Sequence, residues 1–168
     1  MTTVTSDLAV WRACSAVHTQ LTAHMSRELT RATGLSEADF QILDALLDAP
    51  GGRLRALELR WTLQWEKSRL SHQVARMAKR GLLTRESCAE DARGWDLVLT
   101  PAGREAGERA REVRAHSIRR LVLDVLGPEH LARLAETTEL LAARLEQAAE
   151  EDPSCRAFRA EVFPDEQP

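Results

Sequence analysis

Residues 65–83 read WEKSRLSHQVARMAKRGLL, and this stretch predicts one helix with two different faces. At 3.6 residues per turn, Leu70, Val74 and Met77 fall on one apolar stripe of the kind that packs against a core. The opposite stripe carries hydroxyl, guanidinium, imidazole and ammonium groups and no carboxylate. Its members are Ser68, Arg69, His72, Arg76 and Lys79. Surface helices usually mix both signs of charge, so a face with donors of one sign indicates an anionic partner.

Positive charge is concentrated around this helix. Residues 53–85 hold nine Lys and Arg against two Glu, a net charge of +7, whereas the whole chain of 168 residues carries −3. A chain that is basic in one segment and acidic elsewhere is typical of local phosphate binding. The alternative, in which these cations merely solvate an outer helix face, explains the one-signed stripe less well. The residues therefore predict that the partner is double-stranded DNA.

The composition is that of an ordinary globular chain, with 43% hydrophobic and 29% charged residues. No apolar run approaches the ~18 residues that cross a bilayer, and the N-terminus lacks a secretory signal pattern. We therefore expect a cytoplasmic protein without membrane contact. The three cysteines, Cys14, Cys88 and Cys155, form neither a disulfide framework nor a paired zinc-ligand pattern, which favours reduced thiols.

Periodicity and breakers divide the N-terminal half into helices and a short strand. We expect a first helix over about 7–32, ended by Gly34, and a second helix that Ser36 caps and residues 50–52 stop. Three shorter segments follow: an edge strand at 53–54, a short helix at 55–62 and the two-faced helix at 66–80. This order has the spacing of a helix-turn-helix.

Two strands follow the two-faced helix. LLTRESC and WDLVLT alternate in polarity and are joined by the polar turn 89–94, so they predict a hairpin. A basic hairpin directly after such a helix is a wing. Thr100 and Pro101 then supply the N-cap and first residue of a long helix that runs to Leu126, where Gly127 and Pro128 break it.

The last helix has an apolar stripe that needs a partner helix. Its members recur at alternating spacings of three and four: Leu131, Leu134, Thr138, Leu141, Leu145 and Ala148. The segment 151–168 is rich in acids and proline and predicts a flexible tail, although Phe158, Val162 and Phe163 offer apolar side chains for docking.

The order of these elements resembles the MarR family of bacterial winged-helix regulators over nearly the whole chain. WEKSRLSHQVARMAKRGLLTR is similar to that family's recognition helix and first wing strand. DARGWDLVLTPAGRE is similar to its Asp-x-Arg wing and to the Leu-Thr-x-x-Gly string that begins the fifth helix. The fold class predicted is mainly α with a small β-wing, a winged helix-turn-helix lobe plus a helical dimerisation region.

The resemblance implies a transcriptional regulator that is a homodimer, in which the first, fifth and sixth helices of two subunits interlock. It divides the chain into a dimerisation region at 1–34 and 101–150, a DNA-binding lobe at 35–100 and a flexible acidic tail at 151–168. The long apolar stripes independently favour a two-fold dimer on a pseudo-palindromic operator. The resemblance also implies modulation by a small, often aromatic, ligand in the cleft between the dimer helices and the lobe.

Groove chemistry divides the work within the two-faced helix. Ser68, Arg69 and His72 lie in the half that enters the major groove, where Arg69 can donate to O6 and N7 of guanine. Arg76 and Lys79 lie further along the helix, where phosphates are the expected partners.

The wing supplies the remaining predicted contacts. Arg93 at the wing tip is placed to enter the minor groove, and in the family pattern Asp91 orients it. The complete predicted DNA-binding set is Lys67, Ser68, Arg69, Ser71, His72, Arg76, Lys79, Arg85, Asp91 and Arg93.

The turn into the two-faced helix departs from the family pattern. It reads Leu63-Gln64-Trp65-Glu66, without the usual glycine or the usual Ser or Asp cap, and Arg60 stands where a small residue is common. We expect Trp65 to be partly buried and to brace the helix-turn-helix, because readers of double-stranded DNA seldom stack bases on aromatic rings.

Two other function classes compete with ligand-modulated DNA binding: an enzyme, and a regulator that senses oxidants or metal. An enzyme is disfavoured because the chain has no Gly-rich phosphate loop, GxSxG, HExxH or paired carboxylates, and its histidines are scattered. No catalytic residue, metal site or cofactor is predicted.

A redox-sensing regulator would act through Cys14, at the position that peroxide-sensing members of the family use. The chain has no tyrosine to steady a thiolate, and the apolar stripe predicts a buried, unreactive Cys14. Zinc sensing has only His18, one turn from Cys14, in its favour.

Overall fold

The computed structural model describes residues 7–87 and 95–163. Within these ranges the chain forms long helices around a small antiparallel sheet, which confirms the predicted fold class. The elements are α1 (Asp7–Thr33), α2 (Glu37–Asp48), β1 (Arg53–Arg55), α3 (Ala56–Leu63), α4 (Lys67–Lys79), β2 (Leu83–Ser87), β3 (Trp95–Leu99), α5 (Pro101–Ile118), α6 (Asp124–Glu151) and α7 (Pro153–Val162). A 3-10 turn, Pro50–Gly52, joins α2 to β1, and a π-helical turn, Arg119–Leu123, joins α5 to α6.

The start of α2 follows from two side chains. The Ser36 hydroxyl accepts a hydrogen bond from the backbone N–H of Asp39 at 3.1 Å, and the Asp39 carboxylate accepts one from the backbone N–H of Ser36 at 2.9 Å. This reciprocal capping box satisfies N–H groups that a helix start leaves unpaired. The helix therefore begins where the sequence predicted.

One apolar core holds α2, α3, α4 and the sheet together. The predicted inner stripe of α4 is confirmed, because Leu70, Val74 and Met77 are all buried. The largest fully buried side chains of the core are Leu29, Leu35, Ile42, Leu43, Leu46, Leu59, Met77, Leu83 and Leu97. Burial of this stripe fixes the rotation of α4 about its own axis and leaves its opposite face in solvent.

The sheet has the strand order β1-β3-β2, with both pairs antiparallel. The register of β2 and β3 runs from Leu83 opposite Leu99 to Ser87 opposite Trp95, so the predicted hairpin is confirmed. β1 adds to the far side of β3, with Arg53 opposite Val98. The strands thus place the wing directly beside the C-terminal end of α4.

The Leu-Thr-x-x-Gly string joins the wing to α5. The Thr100 hydroxyl donates to the carbonyl of Gly81 at 2.7 Å and accepts from the backbone N–H of Gly103 at 2.9 Å. A Cβ on Gly103 would lie 1.8 Å from the carbonyl oxygen of Leu82, so a larger residue would force α5 away. Thr100 and Gly103 therefore fasten the start of α5 to the segment that follows α4.

The prediction of one continuous helix from residue 101 to Leu126 is wrong in one respect. The regular α-helix ends at Ile118, and a π-helical turn occupies Arg119–Leu123 before α6 begins. The predicted break is present, since Gly127 has φ 67 and ψ 172 within the span of α6. Positive φ is accessible to glycine without steric cost, which explains why the chain turns at this position.

Two long helices keep uncovered apolar faces in the single chain. On α6, Leu134, Leu141 and Leu145 are 49%, 53% and 70% exposed. On α1, Val10 and Trp11 are 51% and 63% exposed. α6 packs mainly against α7 and the π-helical turn, so the single chain does not cover the apolar face of α6.

The prediction of a flexible tail at 151–168 does not hold for much of this segment, because it contains a helix. Pro153–Val162 form α7, and the Asp152 carboxylate caps it by accepting from the backbone N–H of Ser154 at 2.8 Å. Val162 is buried, and the ring of Phe158 lies edge-on to Trp61 of α3 at 5.2 Å. Acidic composition concealed this helix, because its docking needs only a few apolar side chains on one face.

Removing the aromatic anchor of α7 should lower the stability of the lobe. We expect Phe158→Ala to reduce the free energy of unfolding by about 1 to 2 kcal/mol, less than a fully buried phenylalanine costs, because the ring is half-buried. Urea unfolding measures this, with Arg156→Ala, an exposed position on the same helix, as the matched control. Equal stability of the two variants would show that α7 is not anchored through Phe158.

Candidate nucleic-acid interface

The outer face of α4 brings the predicted helix residues together on one exposed surface. Exposed side chains on it are Lys67, Ser68, Arg69, Ser71, His72, Arg76 and Lys79. Over residues 7–87 and 95–163, no salt bridge connects any of its lysines or arginines to a carboxylate. We name this set the α4 outer surface. Its positive charge is not neutralised by the chain's own described acids.

A left-handed residue makes the turn from α3 into α4. Gln64 has φ 52 and ψ 42, a conformation that costs most residues other than glycine roughly 1 to 2 kcal/mol. The Gln64 side-chain amide donates to the carbonyl of Trp61 at 2.8 Å, which offsets part of that cost. Glutamine thus occupies a left-handed position in a turn that lacks the glycine usual in the family pattern.

Trp65 lies directly after this turn and is 6% exposed. The prediction that it braces the helix-turn-helix is confirmed, since it belongs to the apolar core. The guanidinium carbon of Arg69 lies over its ring, 4.0 Å from the centroid. The one predicted base-reading arginine is therefore stacked on a buried aromatic ring.

A buried polar network lies beneath the α4 outer surface. The Asp39 carboxylate accepts from the Gln73 amide at 2.6 Å and from the Arg80 guanidinium at 2.7 Å. The Gln73 amide oxygen in turn accepts from Arg76. Burial acts to raise the pKa of Asp39, but hydrogen bonds from Ser36 and Arg80 outweigh it and the pKa is lowered. The network holds α4 against α2 with a charged carboxylate.

Sequence reasoning missed Asp39 and Gln73 as residues that support the interface. Gln73 is 2% exposed although it is polar, and it lies beside the apolar stripe of α4. A glutamine at the edge of such a stripe is the signal that could have indicated a buried partner, because buried polar groups need hydrogen bonds. Nothing in the local sequence identified Asp39, 34 positions earlier, as that partner.

Of the predicted wing residues, only Arg85 lies within the described parts of the chain. Its side chain is exposed and donates to the carbonyl of Ser71 at 3.0 Å, which ties β2 to α4. Asp91 and Arg93 lie outside the described residues. Arg85 therefore lies at the boundary between the α4 outer surface and the wing.

The +7 charge of residues 53–85 overstates the cations available to a partner. Arg53 forms ion pairs with Asp96, at 2.8 Å, and with Glu86, and Arg80 is bound to Asp39. Arg60 lies over the ring of Phe158, with its guanidinium carbon 4.0 Å from the centroid. These three arginines stabilise the lobe, and the outward charge is concentrated on α4 and β2.

The prediction that Cys14 is buried is wrong for the single chain, in which its side chain is exposed. The stripe on which it lies faces away from the core of the lobe, and residues 10–20 of α1 are all exposed. His18, one turn later, is exposed too. Over the residues the structure describes, no three His, Cys, Asp or Glu side chains cluster to hold a metal ion. The absence of tyrosine, the other argument against redox sensing, is unchanged.

A cleft of about 760 Å³ opens between α1 and α5. Its walls include His24, Glu28, Arg31, Val113, His116 and Arg120. Glu28 accepts hydrogen bonds from the Ser117 hydroxyl at 2.7 Å and from Arg120 at 2.5 Å. The Ser117 hydrogen bond first, and then the charge of Arg120, hold the pKa of Glu28 below its ordinary value. The cleft thus combines apolar wall with fixed charges.

No helix in the described ranges combines the length and the apolar character that crossing a membrane requires.

Comparison with known proteins gives consistent matches. Residues 33–94 match the model of the MarR family. One similar structure is Sco3205 from Streptomyces coelicolor, a MarR family transcriptional regulator solved in complex with DNA. It is 35% identical in sequence to this chain and superposes with a TM-score of 0.76. The match covers 81% of this chain and 85% of Sco3205. AbsC from the same organism, also a MarR family transcriptional regulator, is 33% identical, with 84% and 97% covered and a TM-score of 0.77. A MarR variant from E. coli in complex with operator DNA, 16% identical, shares the fold with a TM-score of 0.67, and 81% and 98% are covered. Among curated proteins the sequence has no match.

Replacing Asp39 with asparagine tests the buried network. We expect Asp39→Asn to lower the free energy of unfolding at neutral pH by about 1 to 3 kcal/mol, because Gln73 and Arg80 lose a charged acceptor. The lowered pKa of Asp39 means that its contribution is complete above the ordinary aspartate pKa and is lost as the pH falls through the folded-state pKa. The stability gap between parent and variant should therefore narrow below about pH 4.

Urea unfolding at several pH values measures that gap. Asp44→Asn is the matched control, because Asp44 lies on the same helix in a partly exposed ion pair with Arg111 and should cost under about 1 kcal/mol. A gap that does not change with pH, or an equal loss in both variants, would contradict the role given to Asp39.

Proposed function

This chain belongs to the MarR family of transcriptional regulators, and we propose that it regulates transcription by binding double-stranded DNA as a homodimer. In each half-site α4 enters the major groove and the β2–β3 wing lies against the neighbouring minor groove. The main support for this proposal is that the cations of the α4 outer surface have no carboxylate partner in the described ranges. The DNA complex of Sco3205, 35% identical to this chain, supports it.

Base reading is assigned to the first turns of α4. Ser68, Arg69 and His72 are exposed there, and their donor groups match the acceptor atoms on the major-groove edges of base pairs. A flat guanidinium at Arg69 can donate two hydrogen bonds to a single guanine. No catalytic role is proposed, since the family to which the chain belongs consists of regulators.

Phosphate contacts are assigned to the later part of α4 and to β2. Arg76 is held by Gln73, Lys79 lies in the last turn, and Arg85 is fastened to the backbone of α4. Contacts of this kind fix the register of a protein on DNA without reading its sequence. Lys67 and Ser71, also exposed, complete the proposed set on the helix. For Asp91 and Arg93 the proposed minor-groove role rests on the sequence pattern alone.

A second copy of the chain is the proposed cover for the exposed apolar faces of α1 and α6. Leu134, Leu141 and Leu145 lie on one stripe of α6, and Val10 and Trp11 are exposed on α1. Contiguous apolar surface of this kind marks a protein interface. Two-fold symmetry would also place two copies of α4 on one face of the DNA, as a pseudo-palindromic operator requires.

The cleft between α1 and α5 is the proposed site for a small aromatic effector. Val113 supplies an apolar wall, and Arg31 supplies positive charge for a phenolate or carboxylate. α5 is fastened to α2 through Arg111, which donates to the carboxylates of Asp44 and Asp48, both at 2.6 Å. A ligand that separates α1 from α5 would therefore change the placement of the DNA-binding lobe.

Base reading and phosphate anchoring should respond differently to alanine substitution. We expect Arg69→Ala to cost about 1 to 3 kcal/mol on the preferred operator and to reduce discrimination among operator variants, because a base-edge donor pair is lost. Lys79→Ala should weaken binding to all sequences alike and lower the salt slope by roughly 0.9 per lost phosphate contact. Competition binding at several salt concentrations measures both. If Arg69→Ala were as insensitive to sequence as Lys79→Ala, α4 would not be the reading helix.

The dimer is tested by sedimentation. We expect the parent to sediment as a dimer at micromolar concentration and Leu145→Glu to raise the dimer dissociation constant by at least about tenfold, because it places a charge in an apolar interface. Glu136→Gln, on the opposite face of α6, is the control and should leave the dimer unchanged. A folded parent that sediments as a monomer would overturn the symmetric-operator argument.

A further inference from the structure

The arginines of the α4 outer surface and of β2 are held in different ways. Arg76 donates to the Gln73 amide oxygen, and Arg85 donates to the Ser71 carbonyl, so each has one N–H engaged within the chain. The Arg69 side chain makes no hydrogen bond in the described ranges, and its guanidinium carbon lies over the Trp65 ring, 4.0 Å from the centroid. Its guanidinium donors are therefore not engaged by acceptors in the described ranges.

Stacking and base reading use different parts of a guanidinium. The flat face is attracted to an aromatic ring within about 6 Å, whereas the N–H donors lie around the edge of the plane. Bidentate recognition of guanine needs that edge and a fixed orientation of the plane. A ring that occupies only the face can therefore orient the donors without consuming them.

The position of Trp65 suits this task. It immediately precedes the N-cap residue Glu66, and the guanidinium of Arg69, in the first turn of α4, lies over its ring. Its ring is 6% exposed and packed into the core, so the platform under Arg69 cannot move independently of the lobe. An arginine that is already oriented loses less rotamer freedom on binding than one that extends freely into solvent.

We propose that Trp65 is a positioning residue for sequence discrimination, holding the Arg69 guanidinium in the orientation in which its edge reads a base pair. This inference rests on the proposed function of α4 as the reading helix. The role proposed for Trp65 is exerted through Arg69, because the ring is only 6% exposed and the Arg69 guanidinium lies over it. Replacing the ring should change which sequences are preferred more than it changes affinity for DNA in general.

A double-mutant cycle on DNA discrimination tests the coupling. The probes are a duplex carrying the preferred site, selected from random sequences with the parent protein, and duplexes with single base-pair changes in each half-site. We expect Trp65→Leu, which keeps apolar volume but has no ring, to reduce discrimination at the base pair that Arg69 reads by roughly fivefold. Affinity for a duplex without the site should change less than about twofold, because phosphate contacts are kept. In an Arg69→Ala background, Trp65→Leu should cause no further loss of discrimination.

Phe40→Leu is the matched control. Phe40 is a buried aromatic of the same lobe, 8% exposed, with the guanidinium of Arg114 lying over its ring at 5.0 Å, and it lies on α2 and not on α4. This substitution should lower stability without changing discrimination. It separates the loss of a buried ring in general from the loss of the ring under Arg69.

The outcomes separate the inference from the function on which it rests. If Trp65→Leu weakens all duplexes equally, or if its effect adds to that of Arg69→Ala, the positioning role is overturned while base reading by Arg69 stands. If Arg69→Ala leaves discrimination intact, the proposed function of Arg69 fails, and the inference fails with it. If Trp65→Leu does not fold, the same cycle is measured with Trp65→Phe, which keeps a smaller ring. A smaller coupling of the same sign is then expected, and zero coupling overturns the inference.

Discussion

Burial of the apolar stripe of α4 is the constraint on which the rest of the structure depends. With Leu70, Val74 and Met77 in the core, the helix has one allowed rotation about its axis, and its cationic face must lie in solvent. Apolar packing alone tolerates small slides of a helix along its groove. The hydrogen bonds from Gln73 and Arg80 to Asp39 are directional, so they remove that freedom and fix α4 relative to α2. The base reading proposed for α4 needs this rigidity, because base edges are recognised by geometry.

The same lobe is fastened to the long helices by short polar links. Thr100 and Gly103 hold the start of α5 against the segment that follows α4. Arg111 joins α5 to the carboxylates of Asp44 and Asp48 on α2, and Glu28 joins α1 to Arg120 just beyond α5. Partly exposed ion pairs of this kind contribute little to stability but fix relative positions. Side-chain contacts therefore connect the walls of the α1–α5 cleft with α2.

The sequence predicted those elements whose caps and apolar stripes lie within a few residues of each other. It did not predict the element whose stability depends on residues far away in the chain. The Ser36 cap, the start of α5 at Thr100 and the inner stripe of α4 follow from side chains within a few residues of each other. The α7 helix was missed because its stability comes from Phe158 against Trp61, almost a hundred positions earlier in the chain. The burial predicted for Cys14 failed because a periodic stripe shows that a face is apolar without showing which chain covers it.

The sequence by itself determined the winged helix-turn-helix order, the one-signed outer face of α4 and the family, because caps, breakers and periodicity are encoded within single elements. Tertiary structure alone decided which cations are paired with the chain's own carboxylates. It paired Arg53 with Asp96 and Arg80 with Asp39, and it placed Arg69 over the ring of Trp65. Charge counting cannot distinguish these arginines, because a guanidinium has the same charge in every setting and its role depends on the groups that folding brings within reach.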